Sequence, residues 1–144
     1  MSKLLAALVL SAALLVVPAT AGAATLRGKT SQGRTVSLTV GADGVPTRLR
    51  IDWRAPCQQK AGQHARGPTI ATPPFLEASA DRLRDGGTYR ARFEGGLRVR
   101  TTAELEGRRS GTGWSGTFAV RRLFSRRGKV IDVCRATRIT WSVG

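Results

Sequence analysis

The chain has 144 residues, with 24 Lys and Arg against 9 Asp and Glu, for a formal net charge of +15. That length suits one domain core and not two. A single His and two distant Cys are too few for an ordinary zinc cage, and the lack of any Asn removes N-linked glycosylation acceptors.

Lys3 gives a positive start, and Leu4 to Val17 then runs without a charge up to Pro18. The run is shorter than the ~20 residues a spanning helix needs. Ala21-Gly22-Ala23 fits a small-x-small cleavage rule, with Ala19-Thr20-Ala21 as the competing site. Residues 1–23 therefore read as a secretory signal peptide and 24–144 as a single β domain. No Cys adjoins the cut to carry a lipid, and no later segment is apolar enough to span a bilayer. The expected destination is the extracellular space or the cell envelope. In such an oxidising compartment Cys57 and Cys134 read as one disulfide, closing a long loop worth up to ~4.5 kcal/mol.

The remaining chain alternates at period two and shows no helical periodicity, so an all-β fold is predicted. Leu26 and Gly28 face Val36, Leu38 and Val40 across the turn Ser31-Gln32-Gly33. Asp43-Gly44 predicts a two-residue hairpin that sets Leu38 opposite Leu49 and Val36 opposite Ile51. Val45, Thr47, Leu49, Ile51 and Trp53 then share one face; Arg48, Arg50, Asp52 and Arg54 share the other. Residues 58–74, with His64, Pro68, Pro73 and Pro74, read as a long irregular loop. Residues 75–85 leave room for a short helix at 77–84, with Phe75, Leu76 and Leu83 packed under the sheet.

Tyr89, Ala91 and Phe93 alternate with Arg90 and Arg92 before a turn at Glu94-Gly95-Gly96. Leu97, Val99, Thr101, Ala103 and Leu105 then alternate with Arg98, Arg100, Thr102, Glu104 and Glu106. A turn at Arg108-Arg109-Ser110-Gly111 would set Leu105 opposite Trp114, Thr101 opposite Phe118 and Val99 opposite Val120. Near the end, Ile131, Val133, Ile139, Trp141 and Val143 have odd parity, whereas Cys134 has even parity. A bulge near Arg135 is expected to reset the face, within one bent strand or two short ones over 129–143. The sum is an antiparallel meander of about seven to nine strands, closing as a small β-barrel or folding over as a sandwich.

Pairing across Glu94-Gly95-Gly96 puts Arg92 opposite Arg98 and Arg90 opposite Arg100 on the outer face, with Arg121 expected opposite Arg98. Like charges directly opposite are unfavourable, so a bound anion or interleaved acids would relieve them. Arg121-Arg122, Arg126-Arg127 and Lys129 form a second cluster at an expected hairpin. These residues point to an anionic polymer or an anionic membrane surface. Nucleic acid is not the expected partner. Trp53, Tyr89, Phe93, Trp114, Phe118 and Trp141 all fall on the apolar face, leaving no stacking platform among the arginines. The bland reading is that a GC-rich coding sequence writes 20 Arg against 4 Lys without any binding role.

A second functional reading is a barrel that holds a small apolar ligand between Trp53, Trp114, Phe118 and Trp141. A secreted hydrolase using Glu104, Glu106 or His64 comes third. Glu104 and Glu106 lie about 7 Å apart on one strand face, but that face is the outer one, beside Arg108 and Arg109. Asp81 and Asp85 read as turn or cap residues. His64 stands without a nucleophile elbow, and Gly111-Thr112-Gly113-Trp114-Ser115-Gly116 matches a dinucleotide fingerprint only in letters, since a strand follows it. No catalytic residue, cofactor or metal is expected. The leading expectation is a secreted, non-enzymatic binding protein.

Gly28-Lys29-Thr30-Ser31-Gln32-Gly33-Arg34, Trp53 with Cys57, Gly116-Thr117-Phe118, and Cys134 with Trp141 give the chain a resemblance. It resembles small secreted all-β proteins of high-GC actinobacteria, a family with no assigned activity. The shared residues are turns, core aromatics and cysteines. The resemblance implies secretion and an all-β fold, and transfers no ligand or reaction.

Overall fold

The computed structural model describes residues 22–59 and 63–144. The predicted leader falls almost wholly on 1–21, outside the described residues. The strands are β1 (Ala24–Thr30), β2 (Thr35–Val40), β3 (Pro46–Pro56), β4 (His64–Ala71), β5 (Glu77–Ala78), β6 (Arg82–Arg92), β7 (Leu97–Ser110), β8 (Gly113–Arg126) and β9 (Lys129–Val143). They form one antiparallel sheet in the order β4-β3-β2-β1-β9-β8-β7-β6-β5. Each strand pairs with its neighbour in the chain except at the junction of β1 with β9, which joins two meanders, and between β4 and β5, the unpaired ends of the sheet. The sheet is not closed.

The sheet curls over one core. Leu38, Leu49, Ile51 and Trp53 from β2 and β3 meet Leu83, Leu105, Phe118, Ile139 and Trp141 from β6 to β9. Two large rings fit because glycines leave room for them. A Cβ on Gly67 would stand 2.7 Å from the Trp53 ring, and one on Gly107 2.8 Å from the Trp141 ring. The end of β3 is fastened to β9 by the Cys57–Cys134 disulfide, across a separation of 77 residues. Next to it, the Gln58 N–H donates to the Val133 carbonyl and the Gln59 N–H to Asp132 Oδ1, both at 3.0 Å.

The first hairpins keep the predicted register: Gly28 faces Val36, Leu38 faces Leu49, and Val36 faces Ile51. Past that point a slip between Thr39 and Val40 sets Val40 opposite Pro46, so Pro46 is buried and Thr47 exposed, the reverse of simple alternation. Within the expected loop over 58–74, His64–Ala71 form strand β4, paired with β3 from Leu49↔Ala71 to Pro56↔His64. Pro68 lacks an N–H and is tolerated because β4 is an edge strand. No helix forms over 77–84; β5, a turn and the start of β6 occupy it. Leu83 is buried there, but Leu76 is 66% exposed.

The β7–β8 turn is two residues long, so Leu105 faces Phe118, Thr101 faces Arg122 and Val99 faces Phe124. The predicted pairs are displaced by an even number of positions. Every face is kept while every partner changes. The expected bulge in β9 is real and lies at Thr137-Arg138, since Phe118 pairs with Ile139 and Val120 with Ala136. It turns Cys134 and Ala136 onto the same side as Ile139 and Trp141. A second slip beside Ile131 leaves that side chain 45% exposed.

Candidate functional site

The outer face of β6 and β7 carries the predicted arginine pairs. Arg90 lies opposite Arg100 and Arg92 opposite Arg98, and all four side chains are exposed. The register follows from Gly95 and Gly96, whose φ of 67° and 71° only glycine adopts freely. Leu123 of β8 sits opposite Arg100 and Ser125 opposite Arg98, so the neighbouring strand brings no acid to the patch. With Gly128 and Val130 these residues surround a shallow depression of about 320 Å³. Among the described residues the ion pairs are Arg50–Asp52 at 3.2 Å and Arg82–Glu77 at 3.7 Å, and neither involves the patch.

Arg121 is not opposite Arg98. It faces Thr102 on β7 and Arg135 on β9, two positions along β8 from Leu123. It stays on the outer face and adds a third like-charge pair beside the first two. The second expected cluster divides. Arg126 pairs with Lys129 across the β8–β9 turn, with Arg127 and Gly128 at positive φ. Arg122 belongs to the opposite, inner face. Its Nε donates to Thr101 Oγ1 and a terminal nitrogen donates to the Arg66 carbonyl, both at 3.0 Å. The guanidinium carbon lies 4.8 Å from the centre of the Trp53 ring, and burial lowers the group's pKa.

Trp53, Trp114, Phe118 and Trp141 are all between 1% and 3% exposed and belong to the core. The Trp53 indole N–H donates to Thr69 Oγ1 at 2.9 Å. Tyr89 and Phe93 share the inner face but are 50% and 57% exposed. They lie on the apolar face that alternation predicts, but parity reports the side of a strand and not what covers it.

Glu104 and Glu106 are exposed on the outer face, opposite Gly86 and Arg84, in an open concavity of about 560 Å³. His64 opens β4 opposite Pro56, far along the chain from either glutamate, and lines neither that concavity nor the arginine depression. Asp81 does act in a turn, accepting from Ser79 Oγ at 2.7 Å. Asp85 does not; it lies within β6 opposite Leu105. Asp132 is buried beside the two cysteines, but their sulfurs are bonded to each other. Its carboxylate accepts from the Gln59 and Val133 N–H groups.

No helix among the described residues is long and apolar enough to cross a membrane. Comparison with family models, with curated proteins and with solved structures found no match.

Proposed function

We propose that this is a secreted, non-enzymatic protein that binds an anionic polymer of the envelope or extracellular space through the outer face of β6, β7 and β8. The observation that carries the reading is the cross-strand register Arg90↔Arg100 and Arg92↔Arg98, with none of the four in an ion pair among the described residues. Like charges at directly opposed strand positions cost stability, and a polyanion laid along the strands offsets that cost. Arg121 with Arg135 continues the positive stripe towards β9. The disulfide suits an oxidising compartment. The burial of Trp53, Trp114, Phe118 and Trp141 in one packed core favours this reading over a ligand held among those rings.

The test is binding of the protein, and of a variant with Gln at Arg90, Arg92, Arg98 and Arg100, to an anionic wall polymer, an acidic glycan, anionic vesicles and duplex DNA over a range of salt. Selective binding to one polymer is expected. Its logarithmic salt slope should fall by about 3 in the variant, at about 0.7–0.9 per lost contact. Equal weak binding to all four, unchanged in the variant, would overturn the reading.

A further inference from the structure

Near the unpaired end of the sheet, the inner face of β6, β7 and β8 carries an apolar trough. Tyr89, Phe93, Leu97, Val99 and Phe124 line it together with Arg90, and it holds about 370 Å³. From Leu97 to Thr101 it runs about 13 Å at the strand rise per residue. Half-buried and exposed rings on a trough wall are apolar surface that water covers at a cost.

Arg122 stands at the inner end. Its contacts are a threonine hydroxyl, a peptide carbonyl and an indole face, all of them neutral. Among the described residues no carboxylate pairs with it. A partly buried cation without an anion is expensive, and its lowered pKa has the same origin in lost hydration. The contacts fix the plane of the guanidinium while using two of its five N–H donors. A second concavity of about 300 Å³, walled by Pro68, Thr69 and Ile70 of β4, reaches the same group from across the open seam. One end of the trough is therefore an oriented cation, and most of the remaining lining is hydrocarbon.

We propose that the trough binds a single-chain amphipathic anion, its carboxylate on Arg122 and its acyl tail along Tyr89, Phe93, Leu97 and Phe124. A polymer needs a row of cations; one oriented charge at the end of a largely apolar wall matches one headgroup on one tail. This site opens on the opposite side of the sheet from the arginine patch and shares Arg90 alone of the four patch arginines with it.

Calorimetric titration with decanoate, decanol and acetate, each below any aggregation threshold, tests the assignment. Decanoate should bind at least about tenfold tighter than either partial ligand, as a charge-assisted contact implies. Arg122→Gln should abolish the preference for decanoate over decanol while decanol still binds. Tyr89→Ser with Phe93→Ser, both at exposed positions, should weaken decanoate and decanol together. Should Arg122→Gln fail to fold, the serine variant and the decanoate–decanol comparison still decide. Equal affinity for decanoate and decanol overturns the proposal, as does indifference to the serine substitutions. So does loss of decanoate binding in Arg90→Gln or in Arg98→Gln/Arg100→Gln, which would place the anion on the patch arginines.

Discussion

At the scale of single residues, a few side chains are placed where local physics alone would not put them. Arg98 faces Arg92 at a position where Glu would pair favourably. Arg98→Glu is expected to stabilise the fold by about 0.2–1 kcal/mol, read by urea denaturation, while weakening polyanion binding. A variant that gains stability and keeps full affinity would show the pair to be idle. Gly107 tells the opposite story. The Trp141 ring fills the space its side chain would need, so Gly107→Ala should cost about 1–3 kcal/mol. Trp141→Phe shortens the ring that is in the way. The cost of Gly107→Ala should therefore shrink in that background, and a double-mutant cycle measures the coupling. Arg122 could have been placed from sequence. Its even parity is that of Trp114, Phe118 and Val120, the buried side of β8. Its neighbours in sequence, a run of other cations, drew it instead into a surface cluster.

At the scale of strands, what was legible was decided by alternation and by turns. Where glycine pinned a short turn, as at Gly33 and at Gly95-Gly96, faces and partners were both readable. Between β7 and β8 only the faces were, because an even displacement leaves alternation unchanged. β4 was invisible: Gly67 and Pro68 interrupt its pattern, and one of its edges never needs to bond. The arginine pairs were readable because they flank a fixed turn. The trough was not, because it exists only where one layer of the curled sheet leaves the other uncovered. The disulfide ties β3 to β9 across that curl. Cys57→Ala/Cys134→Ala should lower the free energy of unfolding by up to about 4.5 kcal/mol on loop entropy alone. Chemical denaturation of the double variant measures it; no change would mean that the core fixes the curl unaided.

At the scale of the whole molecule, the chain has a net charge of +15 and its sheet has two ends. One end, β4, carries Pro68. At the other, β5 covers only Leu83 and Arg84 of β6, so the rest of β6 up to Arg92 has no strand on its outer edge. A bare strand edge is a template for joining a second copy, and Arg90 and Arg92 sit on this one. Two such edges approaching each other bring four guanidinium groups together, and charge keeps the copies apart. A polyanion that neutralises those arginines also removes the guard. Turbidity should then peak near charge equivalence and clear again when polymer is in excess and recharges each particle. Light scattering along a polymer titration would trace that rise and fall, and Arg90 and Arg92 would set the concentration at which the protein stops being soluble.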